Sequence, residues 1–154
     1  MLKRVVDKTF TVRAPLEVAW NHIAEVEKWP SWAKHIRAVT KSPAGPLSAS
    51  SNGTLKLSNG VKSTFRMTEF DPPRHWKWVG PFLGLQIYYD HVFAQDEPGK
   101  TKIRFTVDST GGPTVLFRPI FAMIYRRNLE QAISLLIQEI EAAAGEKNST
   151  RVSA

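Results

Sequence analysis

Four side chains in the middle of this sequence combine the means to move a proton or polarise an oxygen: Glu69, Arg74, Tyr89 and His91. Inward-facing positions on three successive strands, read at a period of two, put Glu69, Arg74 and His91 in roughly one row. Tyr89 falls one row further along. Polar groups on an otherwise apolar face cost about 1–3 kcal/mol each when left unpaired. They are therefore expected to satisfy one another or to contact a ligand. As a functional set they form the polar patch of a pocket, with His91 shuttling protons near neutral pH and Arg74 or Tyr89 polarising an oxygen. As a structural set they are an ion pair at the strand ends beside a hydrogen-bonded core histidine. Both readings stay open at this level.

Other chemistry is poorly supported. His22, His35, His75 and His91 show no paired ligand spacing and no acidic cluster, and there is no cysteine, so no metal site is expected. Gly111-Gly112 has no Lys-Ser/Thr after it, which argues against a phosphate-binding loop and nucleotide chemistry. No cofactor is expected.

The surroundings of the polar row are apolar. Phe65, Met67, Trp76, Trp78, Ile87, Tyr89, His91, Phe93, Phe105, Phe117, Phe121 and Ile124 form the expected binding wall, and they either line a slot for a flat or greasy ligand or simply fill the core. Trp20, Trp29 and Trp32, near the first helices, read as packing residues.

Two kinds of element must hold this wall. Lys3 to Arg13 alternates, with Val6, Phe10 and Val12 on one face, as a half-buried strand does. Ala14-Pro15 opens a short helix with Leu16, Trp20 and Ile23 buried. Trp29-Pro30-Ser31-Trp32 forms a turn or short helix, and His35 to Thr40 a second strand. From Gly53 the period is two almost without break: strands around Leu55–Leu57, Phe65–Met67, Trp76–Trp78, Leu85–Phe93 and Ile103–Val107. Turns fall at Ser58-Asn59-Gly60, Asp71-Pro72-Pro73 and Pro98-Gly99, and Gly80-Pro81 is expected to break the fifth strand. The meander presents one apolar face.

Thr114 to Ala144 supplies the cover. Phe117, Ile120, Phe121, Ile124, Leu129, Ala132, Ile133, Leu136, Ile137 and Ile140 recur at helical spacing. At 100° per residue, the stripe before Tyr125 is offset by roughly a third of a turn from the stripe after Leu129. The helix therefore either bends near Arg126-Arg127-Asn128 or turns its two halves to different neighbours. It is expected to start near Leu116, since Pro119 is tolerated only in a first turn, and to stop at Gly145. The fold class is α+β, one domain over residues 1–145, with 146–154 as a disordered polar tail.

Composition narrows the setting. A chain of 154 residues suits a single core, and the absence of cysteine fits a reducing cytosol. Asp7 and Lys8 interrupt before any signal-like apolar run develops, so a cytoplasmic location is expected. The formal net charge of +7 is carried partly by Lys56, Lys62, Arg66, Lys77, Lys102 and Arg104, all on strand faces opposite the core, where Asp90 and Asp108 interrupt them. These cations could meet an anionic membrane or an acidic carrier protein weakly; nucleic acid is not an expected partner. Arg126-Arg127, after the apolar Ile120–Tyr125 run, could anchor at a membrane surface, but packing of that run into the core is the simpler expectation.

The residues Ala14-Pro15, Val18, Trp20, Trp29 and Trp32, then Gly53, Pro72-Pro73-Arg74, Gly99-Lys100-Thr101 and the terminal helix carry a resemblance over about residues 3 to 144. The chain resembles the START-like superfamily, the helix-grip fold of lipid-transfer domains and birch-pollen-type allergens. Within it the chain is most similar to the bacterial polyketide cyclase/dehydrase and lipid-transport group. The resemblance implies a seven-stranded antiparallel sheet gripping the long helix, with a cavity between them for a small hydrophobic molecule such as a lipid, quinone or polyketide. It brings no shared catalytic signature. Three functions follow: a carrier or sensor of such a ligand, a cyclase or dehydratase using His91, or an interaction protein acting through its basic sheet face.

Overall fold

The structure is a computed structural model that describes residues 2–82, 84–110 and 118–153, without the side chains of residues 118, 121 and 147–153. Seven strands follow the expected order: β1 (Leu2–Val12), β2 (Ile36–Ser42), β3 (Asn52–Leu57), β4 (Lys62–Asp71), β5 (His75–Phe82), β6 (Leu85–Glu97) and β7 (Lys100–Thr110). They form one antiparallel sheet in the order β1-β7-β6-β5-β4-β3-β2. The first two strands are thus its two edges. Helix α1 (Leu16–Ala24) and a 3-10 helix (Val26–Ser31) carry the chain from one edge to the other. Helix α2 (Arg118–Ser153) follows the sheet.

Each strand is placed by its alternation, and the register shifts at four places: Arg4/Val6, Ile36/Ala38, Met67/Glu69 and Gln95/Glu97. Between Arg4 and Val6 the register slips, so that Val5 and Val6 are both buried. Between Met67 and Glu69 it slips again: Met67 pairs with Trp78, and Glu69 with Lys77. A one-residue slip exchanges the faces of everything beyond it. Phe70 therefore turns inward beside Trp20, and Glu69 turns outward.

Gly80-Pro81 does not break β5. The ladder to β4 ends at Arg66–Val79, and beyond it β5 pairs with β6 alone, through Gly80–Ile87, Pro81–Gln86 and Phe82–Leu85. Proline is tolerated where only one side of a strand is bonded. Gly80 is needed because a Cβ there would meet the Thr64 carbonyl oxygen at 2.1 Å.

Only part of α2 is docked. Leu129, Ala132, Leu136, Ile140 and Ala144 are buried at spacings of three and four, facing β1 and α1. Polar contacts fix the same half: Lys8 Nζ to Glu130 Oε1 at 2.6 Å, His22 Nε2 to Glu139 Oε1 at 2.9 Å, and the Arg13 N–H donating to Glu141 Oε2 at 2.9 Å. Upstream, Ile120, Met123 and Ile124 are 57%, 63% and 53% exposed. The expectation that the Ile120–Tyr125 run packs into the core is thereby corrected for Ile120, Met123 and Ile124, while Ala122 and Tyr125 do pack against it. The offset between the two apolar stripes is real, and the halves face different surroundings. Gly145 does not end the helix, which runs on to Ser153. A glycine inside a helix costs about 1 kcal/mol relative to alanine, too little to stop one.

Candidate functional site

A cavity of about 290 Å³ lies between the inner face of the sheet and the first turns of α2. Its floor is Trp78, Tyr89 and His91; its walls are Trp29, Ile36, Leu55 and Leu57; Ile124, Tyr125 and Asn128 close it from the helix side. Asn59, Val61, Ser63 and Phe82 stand around its edge. A small annex of about 40 Å³ reaches past His91 toward Phe105, Val107 and Leu129.

The elements account for these positions. Trp78 faces Tyr89 across the β5–β6 ladder, and Trp76 faces His91. Trp29, on the 3-10 helix, donates its indole N–H to the Ile23 carbonyl at 2.8 Å, which fixes its ring 5.3 Å from Trp78. His35 enters from the start of β2.

His91 is enclosed by rings. It is 6% exposed, stacks on Trp76 at 4.4 Å and 23°, and meets Trp78 and Phe105 edge-on at 5.4 and 5.3 Å. Its Nδ1–H donates to the Trp76 carbonyl at 3.4 Å, a long bond that leaves Nε2 as the acceptor of the ring. Burial pushes its pKa down to about 3, against a slight rise from the Trp76 carbonyl. Burial likewise lowers the His35 pKa and raises those of Tyr89 and Tyr125, whose rings lie 6.0 Å apart. At neutral pH these four groups carry no charge. What they offer is a set of neutral donors and acceptors on an apolar surface.

The row inferred from the strand pattern does not assemble. Glu69 is on the outer face, its carboxylate 3.6 Å from His75 Nδ1 and 3.8 Å from Lys77 Nζ. The bulge after Met67 is the cause. Arg74 is exposed in the β4–β5 turn, where its backbone N–H bonds Asp71 and its carbonyl accepts from Phe93 at 2.7 Å. Tyr89 and His91 alone of the four reach the cavity.

Of the expected wall, Trp78, Tyr89, His91 and Ile124 line the cavity and Phe105 lines the annex. Phe65 packs tilted against Trp78 at 4.2 Å behind it, and Met67, Trp76, Ile87 and Phe93 are buried in the packed core. Phe117 and the Phe121 side chain lie outside the described residues. Sequence reasoning missed His35, Tyr125, Asn128 and the wall role of Trp29. Tyr125 closed the apolar run of the helix, so its hydroxyl was the one available signal.

A second, larger hollow of about 480 Å³ opens beside α1, lined by Trp20, Leu47 and the charged Glu25, Glu27, Lys28 and Lys41. The Lys41 ammonium there already bonds the Pro43 carbonyl at 3.1 Å and the Gly45 carbonyl, and lies 3.5 Å from Glu27. The chain of rings Trp20–Trp76–Trp78 stands between the two hollows. The apolar one carries the groups suited to holding a ligand.

The outer face of the sheet is less basic than a count of its lysines and arginines implies. Arg104 bonds Asp7 at 2.7 and 2.9 Å, Arg4 bonds Asp108 at 2.5 Å, and Lys77 sits within 3.9 Å of Glu69 and Asp90. Lys56 and Lys62, cross-strand neighbours, and Arg66 form no ion pair with described residues. Among the described residues no three side chains converge as metal ligands, and no helix is long and apolar enough to cross a membrane.

Solved structures share the architecture. An aromatase/cyclase from a Streptomyces species, Zhui, is 18% identical, with a TM-score of 0.72 over 92% of this chain and 94% of that one. The di-domain aromatase/cyclase StfQ, from the steffimycin biosynthetic pathway, is 14% identical with a TM-score of 0.69, and the match covers 97% of this chain and 52% of that one. Ara h 8.0201 is 10% identical with a TM-score of 0.69, over 92% and 99%. These likenesses show the helix-grip fold. Residues 3–144 match the family described as polyketide cyclase/dehydrase and lipid transport, and with nearly the whole chain inside that match the protein belongs to this family.

Proposed function

We propose that the protein binds a small, uncharged, lipophilic molecule between sheet and α2, as a carrier or sensor. The observation that carries this reading is the neutrality of the cavity. An apolar wall surrounds His91, His35, Tyr89 and Tyr125, and burial holds each of them uncharged. An ionised ligand would enter without a counter-charge and lose its hydration, which costs several kcal/mol. A neutral ligand with one hydroxyl or carbonyl would find partners in His91 Nε2 or a tyrosine hydroxyl. The volume lies at the lower end of small-molecule sites, which suits a compact ligand.

A cyclase or dehydratase is the second reading, supported by His91 and Tyr89 converging on one cavity and by the aromatase/cyclases of like fold. The low His91 pKa weighs against it, because a general acid or base works best near the operating pH.

Titration with a panel of lipids, quinones and polyketide-like aromatics, followed by tryptophan fluorescence and melting, tests both. A ligand in this cavity lies against Trp29 and Trp78 and should quench their emission. At 100 times its dissociation constant it should stabilise the fold by about 2.7 kcal/mol. In a carrier, His91→Gln changes affinity only a few-fold; in an enzyme, turnover falls by on the order of a hundredfold while binding persists. Neither quenching nor stabilisation across the panel would defeat both readings.

A further inference from the structure

We infer that the first turns of α2, with the rim of the cavity, form a docking face for an anionic lipid bilayer. Among the described residues, Ile120, Met123 and Ile124 are the most exposed large apolar side chains in the helix, and Val61, on the opposite rim, is 42% exposed. Val61 and Ile124 line the same cavity, so the apolar face is continuous with its edge. On an ideal helix, Ile120, Met123 and Ile124 point about 180° away from Leu129, Ala132, Leu136, Ile140 and Ala144. Docking of the C-terminal half therefore turns this triad away from β1 and α1, and among the described residues it stays more than half exposed.

Charge selects the occupant. Arg127 falls on the same stripe, one turn after Met123 and two after Ile120, and it forms no ion pair with described residues; Arg126 is exposed beside it. Apolar side chains flanked by arginines are the pattern of a segment lying in a membrane interface, the cations on phosphate headgroups and the apolar tips among the acyl chains. A second copy is a poorer fit. A two-fold contact through this face would gather Arg126 and Arg127 of both copies into one interface, in a protein of formal net charge +7. The inference is independent of what the cavity holds, but it places the cavity mouth against the bilayer, where a lipophilic ligand could pass without crossing water.

Co-sedimentation of the intact protein with vesicles tests it. At low salt the protein should bind phosphatidylcholine vesicles containing phosphatidylglycerol and should not bind phosphatidylcholine alone. Met123→Asp should weaken that binding by about tenfold or more, through the lost insertion and the added charge. Lys102→Gln removes the same unit of charge from the outer face of the sheet and should change binding by less than about twofold. Ile120→Ser, a second exposed position, repeats the measurement should Met123→Asp fold poorly. Fluorescence quenching by a cavity ligand without vesicles should be the same in all of these variants, which separates docking from the cavity reading. Three results would overturn the inference: no binding at low salt, equal losses in Met123→Asp and Lys102→Gln, or a dimer in solution that Met123→Asp splits while vesicle binding is unchanged.

Discussion

Lowering the pH from 6.5 to 4 should destabilise the protein by about 3 kcal/mol through His91 alone. The unfolded chain presents this imidazole with a pKa near 6.5, whereas burial holds it at about 3 in the fold. Above pH 6.5 both states are deprotonated, so the group makes no pH-dependent contribution. Below it the unfolded state binds a proton that the native state refuses. Stability therefore falls steadily until the pH nears the native value of about 3. His35, also depressed by burial, acts in the same sense. Asp7 is lowered chiefly by its hydrogen bond to Arg104, so its effect lies below the carboxylate value of 3.8 and outside this window. Urea denaturation at several pH values, compared between the parent and His91→Gln, isolates the contribution. The slope below pH 6.5 should flatten in the variant. An unchanged slope would mean that His91 is hydrated and free to titrate, which would return it to consideration as a proton shuttle.

Leu136→Ala should cost about 2–5 kcal/mol, read by chemical denaturation. Leu136 is fully buried in the docked stripe, with Leu129, Ala132 and Ile140 along the same face. Ile133 was an equal candidate on sequence alone. It is only partly buried, so Ile133→Ala should cost clearly less. Equal losses at the two positions would mean that α2 is rotated on the sheet. That distinction bears on the cavity, because the rotation that buries Leu136 also sets Tyr125 and Asn128 over its opening.

The sequence by itself determined the architecture. Period-two alternation from Gly53 to Val107, turn residues between the runs and one long helical pattern leave few alternatives to an antiparallel sheet covered by a terminal helix. It also placed Tyr89 and His91 on the inner face, because parity along β6 is unbroken from Ile87 to Phe93. Parity failed where it met a bulge. Nothing in the local sequence announces the extra residue between Met67 and Glu69, so Glu69 was assigned to the wrong face and the polar row with it. Gly80-Pro81 misled for a related reason: whether proline interrupts a strand depends on whether a neighbour needs its missing N–H, and neighbours are a tertiary fact. The division between wall and filling was equally invisible. Trp76 and Trp78 have the same type and parity, yet Trp78 lines the cavity while Trp76 backs His91. A cavity is the small difference between the volume a fold encloses and the volume its side chains fill, and alternation carries no information on either. The helix shows the same limit. Its two offset stripes were legible in the spacing, but only the docked geometry decided that Leu129, Leu136 and Ile140 are buried while Ile120 and Ile124 are left exposed.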